Sequence, residues 1–341
     1  MNEKIKWGLI GYGKFGKRIE QAFSKSHYSK LDCIASKSFL NDDQNKFSQD
    51  KKTLYNAYED LIKNKNIKNI YIATTNNLHK ELIISAAKNK KNIICEKPAC
   101  LSEKDFTECI NVIKKNNVFF MEGLMYLHHP QINETIKMIK NNEIGKIKKI
   151  ICNFGYRVGK KFLMFELKKI DTKSRLFNSN LGGGAIYDLG CYPLTAALLF
   201  FGINQVDNKI LNHEFFRDDG KYGVDESAKT HLTFECGGVA KLRVSIRKDL
   251  DNVIEIFGTK GNIKVLNPWI APSNSALEIN KNNKIYRVNN VFEKDIYSLE
   301  IDNASEAIYK NQTEVKFPKI NIDRSLEYIK IMDRWKTAIL K

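Results

Sequence analysis

The chain has 341 residues, of which 43% are hydrophobic and 28% are charged, and its formal net charge at pH 7 is +17. This hydrophobic content excludes an intrinsically disordered protein, and the length is enough for two hydrophobic cores. The positive charge comes mostly from lysines that are spread along the whole chain rather than clustered, so nucleic acid is not an expected partner.

The first third of the chain alternates short β-rich runs with longer amphipathic segments, which is typical of a parallel sheet covered by helices. The predicted strands are residues 4–10, 31–35, 68–73, 92–96 and 118–121. The helices predicted between them are residues 14–26, 55–63, 78–89 and 102–115. Ser102 and Asp105 have the spacing of a helix N-terminal capping pattern, which fixes the start of the last helix.

The pattern changes after a further predicted helix at residues 129–142. Extended runs follow, and Gly237 and Gly238 stand between two of them as a hairpin turn would. The strands predicted here are residues 146–156, 228–236, 239–248 and 252–258. The fold class is therefore α/β, with an N-terminal Rossmann domain built on a doubly wound parallel sheet and a C-terminal α+β domain with a large, mostly antiparallel sheet. We predict domains at residues 1–121 and 122–322 and a terminal helix, residues 323–341, that packs back on the body.

A G-x-G-x-x-G motif, residues 11–16, follows the first strand directly and opens a helix. Gly11 would allow a tight turn, Gly13 would let a pyrophosphate approach the backbone, and Gly16 would let helix and strand pack closely. The helix N-terminus, at Lys14 and Phe15, would present N–H groups and a partial positive charge to the phosphates. This context predicts a dinucleotide-binding site.

The end of the second strand bears on the choice between the two nicotinamide cofactors. An acidic side chain there would bind the ribose hydroxyls of NAD, but Asp32 lies at the wrong end of the strand. Ser36 and Lys37 stand at the tip instead, and a hydroxyl with a cation suits the 2′-phosphate of NADP. We therefore expect NADP, with NAD possible, unless Lys37 is simply one more surface lysine.

Two further groups of residues fall near the expected nicotinamide end of the crevice. Lys97 follows Glu96 at the end of a strand, where a buried lysine is costly without a partner or a task. Three glycines, residues 182–184, precede a helix start on which Asp188 and Tyr192 share one face. Hydride transfer at a carbon bearing oxygen also moves a proton, which a tyrosine can carry when a neighbouring cation makes it more acidic. The alternative is that Tyr192 is a core aromatic residue and Asp188 a helix-turn acceptor.

Other side chains indicate what the protein lacks. The seven cysteines form no C-x-x-C pair, which favours reduced thiols over a disulfide framework. His128 and His129 have no spaced partners that would complete a metal site, so we expect structural roles for them and no metal. Residues 1–10 show no signal-peptide pattern and no apolar run could span a bilayer, so we expect a cytoplasmic protein without a membrane partner.

Taken in order, these motifs resemble the glucose-fructose oxidoreductase and inositol dehydrogenase (Gfo/Idh/MocA) family. The resemblance covers nearly the whole chain and rests on residues 11–16, 74–79, 96–98, 122–126 with 129–131, 182–192 and 256–261. It implies a Rossmann domain followed by an α+β domain whose open sheet forms the interface of a homodimer or homotetramer.

The resemblance also implies roles for single residues. Lys97 would be catalytic. The residues implied to line the cofactor cleft are Thr74, Thr75, Asn76, His79, Glu96 and Lys97. Tyr192 stands where many members have histidine, which is similar to the branch that holds dimeric dihydrodiol dehydrogenase, NADP-linked xylose dehydrogenase and some nucleotide-sugar ketoreductases. In that branch the tyrosine donates or accepts the proton.

Two positions depart from this branch. Thr75 stands where proline is frequent, and Leu127 stands where an arginine often follows the tyrosine of an M-Y-R motif. If that arginine helps to bind substrate, the substrate of this chain differs.

The sequence as a whole predicts an NADP-dependent oxidoreductase that interconverts a hydroxyl and a carbonyl group on a small sugar or sugar-like substrate. Lys97 and Tyr192 would move the proton, and Asp188 would orient the substrate or the catalytic pair. One alternative is a nucleotide-sugar ketoreductase of surface-polysaccharide synthesis, which a basic surface would suit. Another is a non-catalytic NAD(P)-binding sensor, since a fold does not guarantee its chemistry.

Overall fold

The chain divides into two compact units that are discontinuous in sequence. The computed structural model describes residues 3–39, 52–159, 161–162, 165–166, 170–203, 210–219, 223–272 and 274–340. The first unit comprises Met1–His128 and Lys294–Leu326, and the second comprises His129–Glu293 and Glu327–Lys341. The boundary predicted after residue 121 lies seven residues before the end of the first segment of the first unit, and residues 294–322, predicted as part of the second domain, cluster with the first unit.

The described residues form strands and helices in the order expected of two sheet domains. The strands are β1 (Ile5–Ile10), β2 (Ser29–Ala35), β3 (Thr53–Tyr55), β4 (Asn69–Ile72), β5 (Asn92–Glu96), β6 (Phe120–Gly123), β7 (Ile147–Gly155), β8 (Lys161–Phe162), β9 (Phe165–Glu166), β10 (Ile210–Asp219), β11 (Ser227–Phe234), β12 (Val239–Ser245), β13 (Val253–Gly258), β14 (Gly261–Leu266), β15 (Asn274–Lys281) and β16 (Lys284–Val291). The helices are α1 (Lys14–Lys25), α2 (Tyr58–Lys63), α3 (His79–Lys88), α4 (Glu103–Asn116), α5 (Pro130–Lys140), α6 (Ala185–Leu189), α7 (Cys191–Phe201), α8 (Ile296–Tyr309) and α9 (Ile322–Leu340).

The sheet of the first unit has six strands in the order β3-β2-β1-β4-β5-β6, and every neighbouring pair is parallel. The strand order reverses between β1 and β4. In open parallel sheets, ligands bind outside the carboxyl ends of the strands at such a reversal. The predicted Rossmann fold is confirmed, and the glycine motif lies at this reversal.

Helix α8 supplies part of the core of the first unit. Its residues Ile301, Ala304 and Ala307 join a buried cluster that contains Trp7 and Tyr71. The Trp7 indole nitrogen donates to the Ser305 hydroxyl at 3.0 Å. This packing explains why the chain returns to the first unit after residue 293.

The sheet of the second unit has eight strands in the order β10-β11-β12-β7-β13-β14-β15-β16. Only β12 and β7 run parallel, and the remaining neighbouring pairs are antiparallel. Helix α5 packs on β14 and β15, and α7 packs on β7 and β12. The predicted large, mostly antiparallel sheet is confirmed.

Among the predicted elements of the first unit, the last strand and the second helix differ most from the structure in their bounds. The strand predicted at residues 118–121 lies at β6, because Asn117 adopts a left-handed conformation with φ 52° and the Val118 N–H donates to the Ile113 carbonyl at the end of α4. The helix predicted from residue 55 begins at Tyr58, since Tyr55 ends the edge strand β3, which pairs with β2. The capping pattern is confirmed, because the Asp105 N–H donates to the Ser102 hydroxyl at 3.2 Å.

In the part of the chain that the structure describes, no single helix is long and apolar enough to cross a membrane, although the bent pair of residues 179–189 and 191–201 reaches that length and composition jointly. Every residue of α7 is buried.

Candidate functional site

The glycine turn after β1 has the geometry that a pyrophosphate site requires. Gly11 has a φ of +96°, and a Cβ added to it would lie 2.6 Å from the Ala73 carbonyl oxygen. A Cβ on Gly16 would lie 2.2 Å from the Gly11 carbonyl oxygen. Gly13 is exposed, a Cβ added to it would meet nothing within 4 Å, and no side chain caps the start of α1 among the described residues. The backbone N–H groups that follow, at Lys14 and Phe15, therefore suit a phosphate.

The tip of β2 presents one buried hydroxyl and one exposed cation. Ser36 is 4% exposed, and its hydroxyl lies 2.8 Å from that of Ser38. Lys37 is exposed, and its ammonium lies over the Tyr58 ring at 5.2 Å from the ring centroid. The two residues are adjacent in sequence at the sheet edge where the adenosine ribose of a dinucleotide binds in this fold.

In the segment after β4, the side chain of His79 contacts the backbone of Thr74 and of the loop that follows β5. The side chain of His79 is fully buried. Its Nδ1 lies 2.8 Å from the Pro98 carbonyl oxygen and its Nε2 lies 3.3 Å from the Thr74 carbonyl oxygen. Thr75 is half-buried and Asn76 is 6% exposed. His79 thus positions the backbone of both loops.

A side chain of β6 fixes the backbone that follows Lys97. The Lys97–Pro98 peptide bond is cis. The Glu122 carboxylate, 1% exposed, accepts from the Ala99 N–H at 2.7 Å and from the Ser325 hydroxyl at 2.6 Å. Glu122 therefore fixes the loop that follows Lys97.

Glu96 ends β5 with its carboxyl group pointing into the protein. It is 8% exposed and accepts from the Tyr71 hydroxyl at 2.6 Å. Burial raises the pKa of Glu96 to about 7, and the Tyr71 hydrogen bond and the positive charge of Lys97 oppose that rise. Glu96 is therefore placed to interact electrostatically with Lys97.

In the second unit, Asp188 is held by two donors. It lies on α6 and is 4% exposed. The Tyr156 hydroxyl donates to its Oδ2 at 2.7 Å, and the Arg175 guanidinium donates to its Oδ1 at 2.8 Å. Burial and the negative charge of Asp188 raise the pKa of Tyr156, so Tyr156 remains a proton-bearing donor at neutral pH.

Tyr192, at the start of α7, has an aromatic surrounding. It is 5% exposed and packs edge-on against Phe154 and Trp269, with ring centroids 5.1 Å and 5.9 Å apart. The Trp269 indole nitrogen donates to the Asn153 carbonyl at 2.7 Å, which fixes that ring. Phe154 and Trp269 therefore hold the Tyr192 ring in place.

The start of α6 is built on a buried aspartate. The Ala185 N–H donates to the Asp225 carbonyl oxygen and the Ile186 N–H donates to the Asp225 carboxylate, both at 2.7 Å. Asp225 also forms an ion pair with the Lys336 ammonium from α9. Gly184 has a φ of +109°, and a Cβ on it would lie 2.2 Å from the Asp225 carboxylate. The last glycine of the triplet is therefore required by this contact.

Both residues of the histidine pair have structural partners. His128 Nδ1 accepts from the Asn303 amide at 3.0 Å, and burial with the charge of Lys319 lowers its pKa to about 3. His129 Nδ1 accepts from the Gln131 N–H at the start of α5, and burial lowers its pKa to about 4. No group of three metal-ligating side chains exists within the described ranges.

Each unit brings its own share of the predicted residues together. In the first unit, the glycine turn, the tip of β2 and the loops after β4 and β5 all follow the carboxyl ends of parallel strands. In the second unit, Asp188 and Tyr192 do not share the face of one helix as predicted, because the chain bends between α6 and α7 and they lie on these two consecutive helices. The sequence interpretation missed Tyr156, Arg175, Trp269 and Asp225, and it gave Glu122, within the motif at residues 122–126, no role of its own.

Two family profiles match most of the chain. The oxidoreductase family with an NAD-binding Rossmann fold, GFO/IDH/MocA, matches residues 5–124. The C-terminal domain of the same family matches residues 132–264.

Curated relatives are similar at 22–30% identity. An uncharacterised oxidoreductase of Rhizobium meliloti is 30% identical over 63% of this chain and 60% of its own length. A trans-1,2-dihydrobenzene-1,2-diol dehydrogenase of Xenopus tropicalis is 28% identical over 79% of this chain and 77% of its own. A D-xylose 1-dehydrogenase (NADP(+)) of Haloferax volcanii is 22% identical over 82% of this chain and 81% of its own. The match to the first of these spans less than two thirds of that relative.

Solved structures share the fold. A 3-ketoreductase from Actinomadura kijaniata, in complex with NADP and TDP-benzene, gives a TM-score of 0.84 at 21% identity and 98% coverage of both chains. An aldose-aldose oxidoreductase from Caulobacter crescentus, complexed with glycerol, gives a TM-score of 0.84 at 20% identity with the same coverage. With both domain profiles matched and the fold shared, the chain belongs to the GFO/IDH/MocA oxidoreductase family.

Proposed function

We propose that this protein is an NADP-dependent oxidoreductase that interconverts a hydroxyl and a carbonyl group on a sugar or sugar-like substrate. The observation that carries the proposal is the buried Asp188 carboxylate, fixed by Tyr156 and Arg175, four residues before Tyr192. The hydrogen bonds from Tyr156 and Arg175 offset the free-energy cost of burying this carboxylate, and a buried carboxylate fixed in this way is a candidate for orienting a ligand.

The first unit supports the cofactor assignment. The open space at Gly13 and the uncapped start of α1 fit a pyrophosphate, and Lys37 at the tip of β2 fits the 2′-phosphate of NADP. Two relatives in fold or sequence carry NADP in their names or structures. When bound, NADP would supply or accept the hydride.

Proton transfer is the step of the reaction that the side chains of this protein would carry out. In the oxidising direction the substrate hydroxyl would pass its proton to the Tyr192 oxygen, and in the reducing direction Tyr192 would return a proton to the carbonyl oxygen. A neighbouring ammonium favours the ionised form of a tyrosine, and Lys97 would supply that charge. Asp188 would accept a hydrogen bond from a second substrate hydroxyl.

Replacement of Tyr192 by phenylalanine tests this assignment. We expect Tyr192→Phe to lower kcat by about 10²-fold or more because the proton carrier is lost, while NADPH affinity stays within about twofold. Tyr187→Phe, which removes a hydroxyl one turn away on α6, is the matched control and should keep wild-type turnover. Equal turnover of Tyr192→Phe and wild type would refute the role.

A nucleotide-sugar is the second candidate substrate, and one observation in the second unit supports it. Strands β7 and β12 are parallel, so the basic residues Arg157 and Lys248, just beyond their carboxyl ends, lie at the sheet edge that also bears Tyr156. Such residues would bind a diphosphate. Turnover assays should therefore include a dTDP-keto-sugar beside aldoses and keto-sugars. Tight NADPH binding without turnover of any of them would favour a non-catalytic sensor.

A further inference from the structure

Two buried glutamates of the first unit share one tyrosine hydroxyl. The Tyr71 hydroxyl lies 2.6 Å from Oε1 of Glu96 and 3.3 Å from Oε2 of Glu300. Glu300, on α8, and Tyr71 are fully buried. A tyrosine hydroxyl has one proton to donate, so it cannot fully satisfy two carboxylates.

The surroundings of Glu300 disfavour an ionised carboxylate. Its Oε1 is buried without a hydrogen-bond partner among the described residues. The groups that act on Glu300 are Glu96 and Tyr71, and burial with the negative charge of Glu96 raises its pKa well above the usual range. A protonated Glu300 would instead donate to the Tyr71 oxygen, and Tyr71 would donate to Glu96.

The surroundings of Glu96, unlike those of Glu300, include a positive charge. Lys97 bears on Glu96 with a positive charge, and Glu122 bears on it with a negative one. Tyr297 also lies within electrostatic reach of both Glu96 and Glu300, and burial raises its pKa so that it stays neutral. A single negative charge shared by the two glutamates is therefore more stable on Glu96.

We propose that Glu300 holds a proton at neutral pH and that the chain Glu300–Tyr71–Glu96 confines the negative charge of the pair to Glu96, beside Lys97. Glu300 and Tyr71 are then positioning residues that act on Lys97 through Glu96. The consequence for turnover rests on the proposed function, whereas the place of the proton does not.

The place of the proton can be measured on the cofactor-free protein. In infrared spectra at about pH 8, where ordinary carboxyl groups are ionised, the wild type should show a protonated carboxyl band that Glu300→Gln removes and Glu96→Gln keeps. A wild type without such a band, or a band lost in Glu96→Gln instead, would overturn the proposal. NMR of protein labelled with ¹³C-glutamate is an independent test, since one carboxyl carbon of the wild type should keep its protonated shift and this signal should be absent from Glu300→Gln.

The positioning role has its own readout in the pH profile. Glu300→Gln replaces one neutral donor by another. The acid limb of the kcat/KM pH profile, which would report the ionisation of Glu96, should therefore stay in place. Tyr71→Phe removes the hydrogen bond that favours ionised Glu96 and should move that limb upward by about one pH unit. Tyr55→Phe, at a half-buried tyrosine of β3, is the control. An unmoved limb in Tyr71→Phe would refute the positioning role, and an inactive wild type would refute the proposed function while the infrared result still decides where the proton lies.

Discussion

Asp188 shows how much of the candidate site depends on side chains from elsewhere in the second unit. The Tyr156 hydroxyl and the Arg175 guanidinium occupy one carboxylate oxygen each, so the carboxylate plane cannot rotate without losing a hydrogen bond. Hydrogen bonds to an ionised group are stronger than neutral ones. Asp188 is therefore a rigid acceptor, which is what orientation of a substrate hydroxyl requires.

Lys37→Ala should weaken NADPH binding about tenfold and leave NADH binding unchanged, since the two cofactors differ only in the 2′-phosphate and a hydrogen bond to a charged group is worth about 1.5–3 kcal/mol. Quenching of tryptophan fluorescence during titration with each cofactor measures both affinities. Lys65→Ala removes the same charge from another exposed position of the first unit. An equal loss of affinity for both cofactors would show that Lys37 does not bind the 2′-phosphate.

The raised pKa of Glu96 has a consequence for stability. The folded protein holds this proton up to about pH 7, whereas an unfolded glutamate releases it near pH 4.3. Because the folded state binds the proton more tightly, the stabilising contribution is present below about pH 4 and is lost as the pH rises to about 7.

Glu96→Gln should therefore remove a fall of roughly 3 kcal/mol in the free energy of unfolding across this pH window. Urea denaturation at several pH values measures it, and the exposed Glu81→Gln on α3 is the control. Wild-type and Glu96→Gln curves that stay parallel from about pH 4 to pH 8 would contradict the prediction.

At the scale of single residues, the sequence predicted those that a motif or a helical spacing marks. Asp188 and Tyr192 are four residues apart on the consecutive helices α6 and α7, and Gly11, Gly13 and Gly16 follow a strand. Tyr156 lies 32 positions from its partner in a strand end that resembles any other. Such residues become visible only when the chain has folded, because no local pattern requires them.

The start of α1 is the element on which we expect cofactor binding to depend. Among the described residues no side chain caps its first N–H groups, and its N-cap Gly13 has an ordinary φ of −74°. A residue other than glycine could therefore adopt this backbone. We propose that Gly13 lacks a side chain because a phosphate needs the space, whereas at Gly11 the fold itself excludes a side chain.

Gly13→Ala should lower NADPH affinity at least about tenfold while changing the unfolding temperature by only a few degrees, because the added methyl group meets no protein atom. Gly11→Ala should lower the unfolding temperature much further, since its Cβ would approach the Ala73 carbonyl oxygen at 2.6 Å and its φ is positive. Calorimetry and cofactor titration measure the two effects. An unchanged NADPH affinity in Gly13→Ala would show that no cofactor phosphate binds at this turn.

The start of α6 depends on Asp225 in a comparable way. Asp225→Ala would leave the Ile186 N–H without its acceptor and the buried Lys336 ammonium without its counter-charge. We expect a loss of about 3–5 kcal/mol, seen as faster hydrogen exchange in residues 185–201. The double variant Asp225→Ala/Lys336→Met should recover part of this loss. No recovery would show that the helix start, and not the ion pair, dominates.

Helix α8 and the two edge strands of the eight-stranded sheet were not predicted because each lacks the residue pattern by which such an element is recognised. Helix α8 buries polar residues, among them Ser298, Glu300 and Asp302, so its apolar residues do not form the stripe by which a helix is predicted. Strands β10 and β16 are the two edges of the eight-stranded sheet. Their exposed residues, such as Leu211 and Ile285, break the alternation that marked the central strands.

At the scale of the whole molecule, the second unit carries one sheet face that its helices do not cover. Buried and partly exposed residues alternate along the central strands. Directly opposite residues form one row across all eight strands: Glu214, His231, Lys241, Ile151, Glu255, Lys264, Glu278 and Arg287. Glu255 and Lys264 lie 3.6 Å apart. A surface with ordered charges of both signs can pair with a second copy of itself.

We therefore expect a homodimer or homotetramer held through this face and weakened by salt, because partly exposed ion pairs are screened at high ionic strength. Lys241→Glu reverses one charge in the row and should shift the protein toward monomer in sedimentation velocity. Lys137→Glu makes the same change on α5, outside the row, and should leave the assembly intact. A monomeric wild type at micromolar concentration, or equal dissociation of both variants, would exclude the sheet face as the interface, because only an interface at the row distinguishes these two lysines.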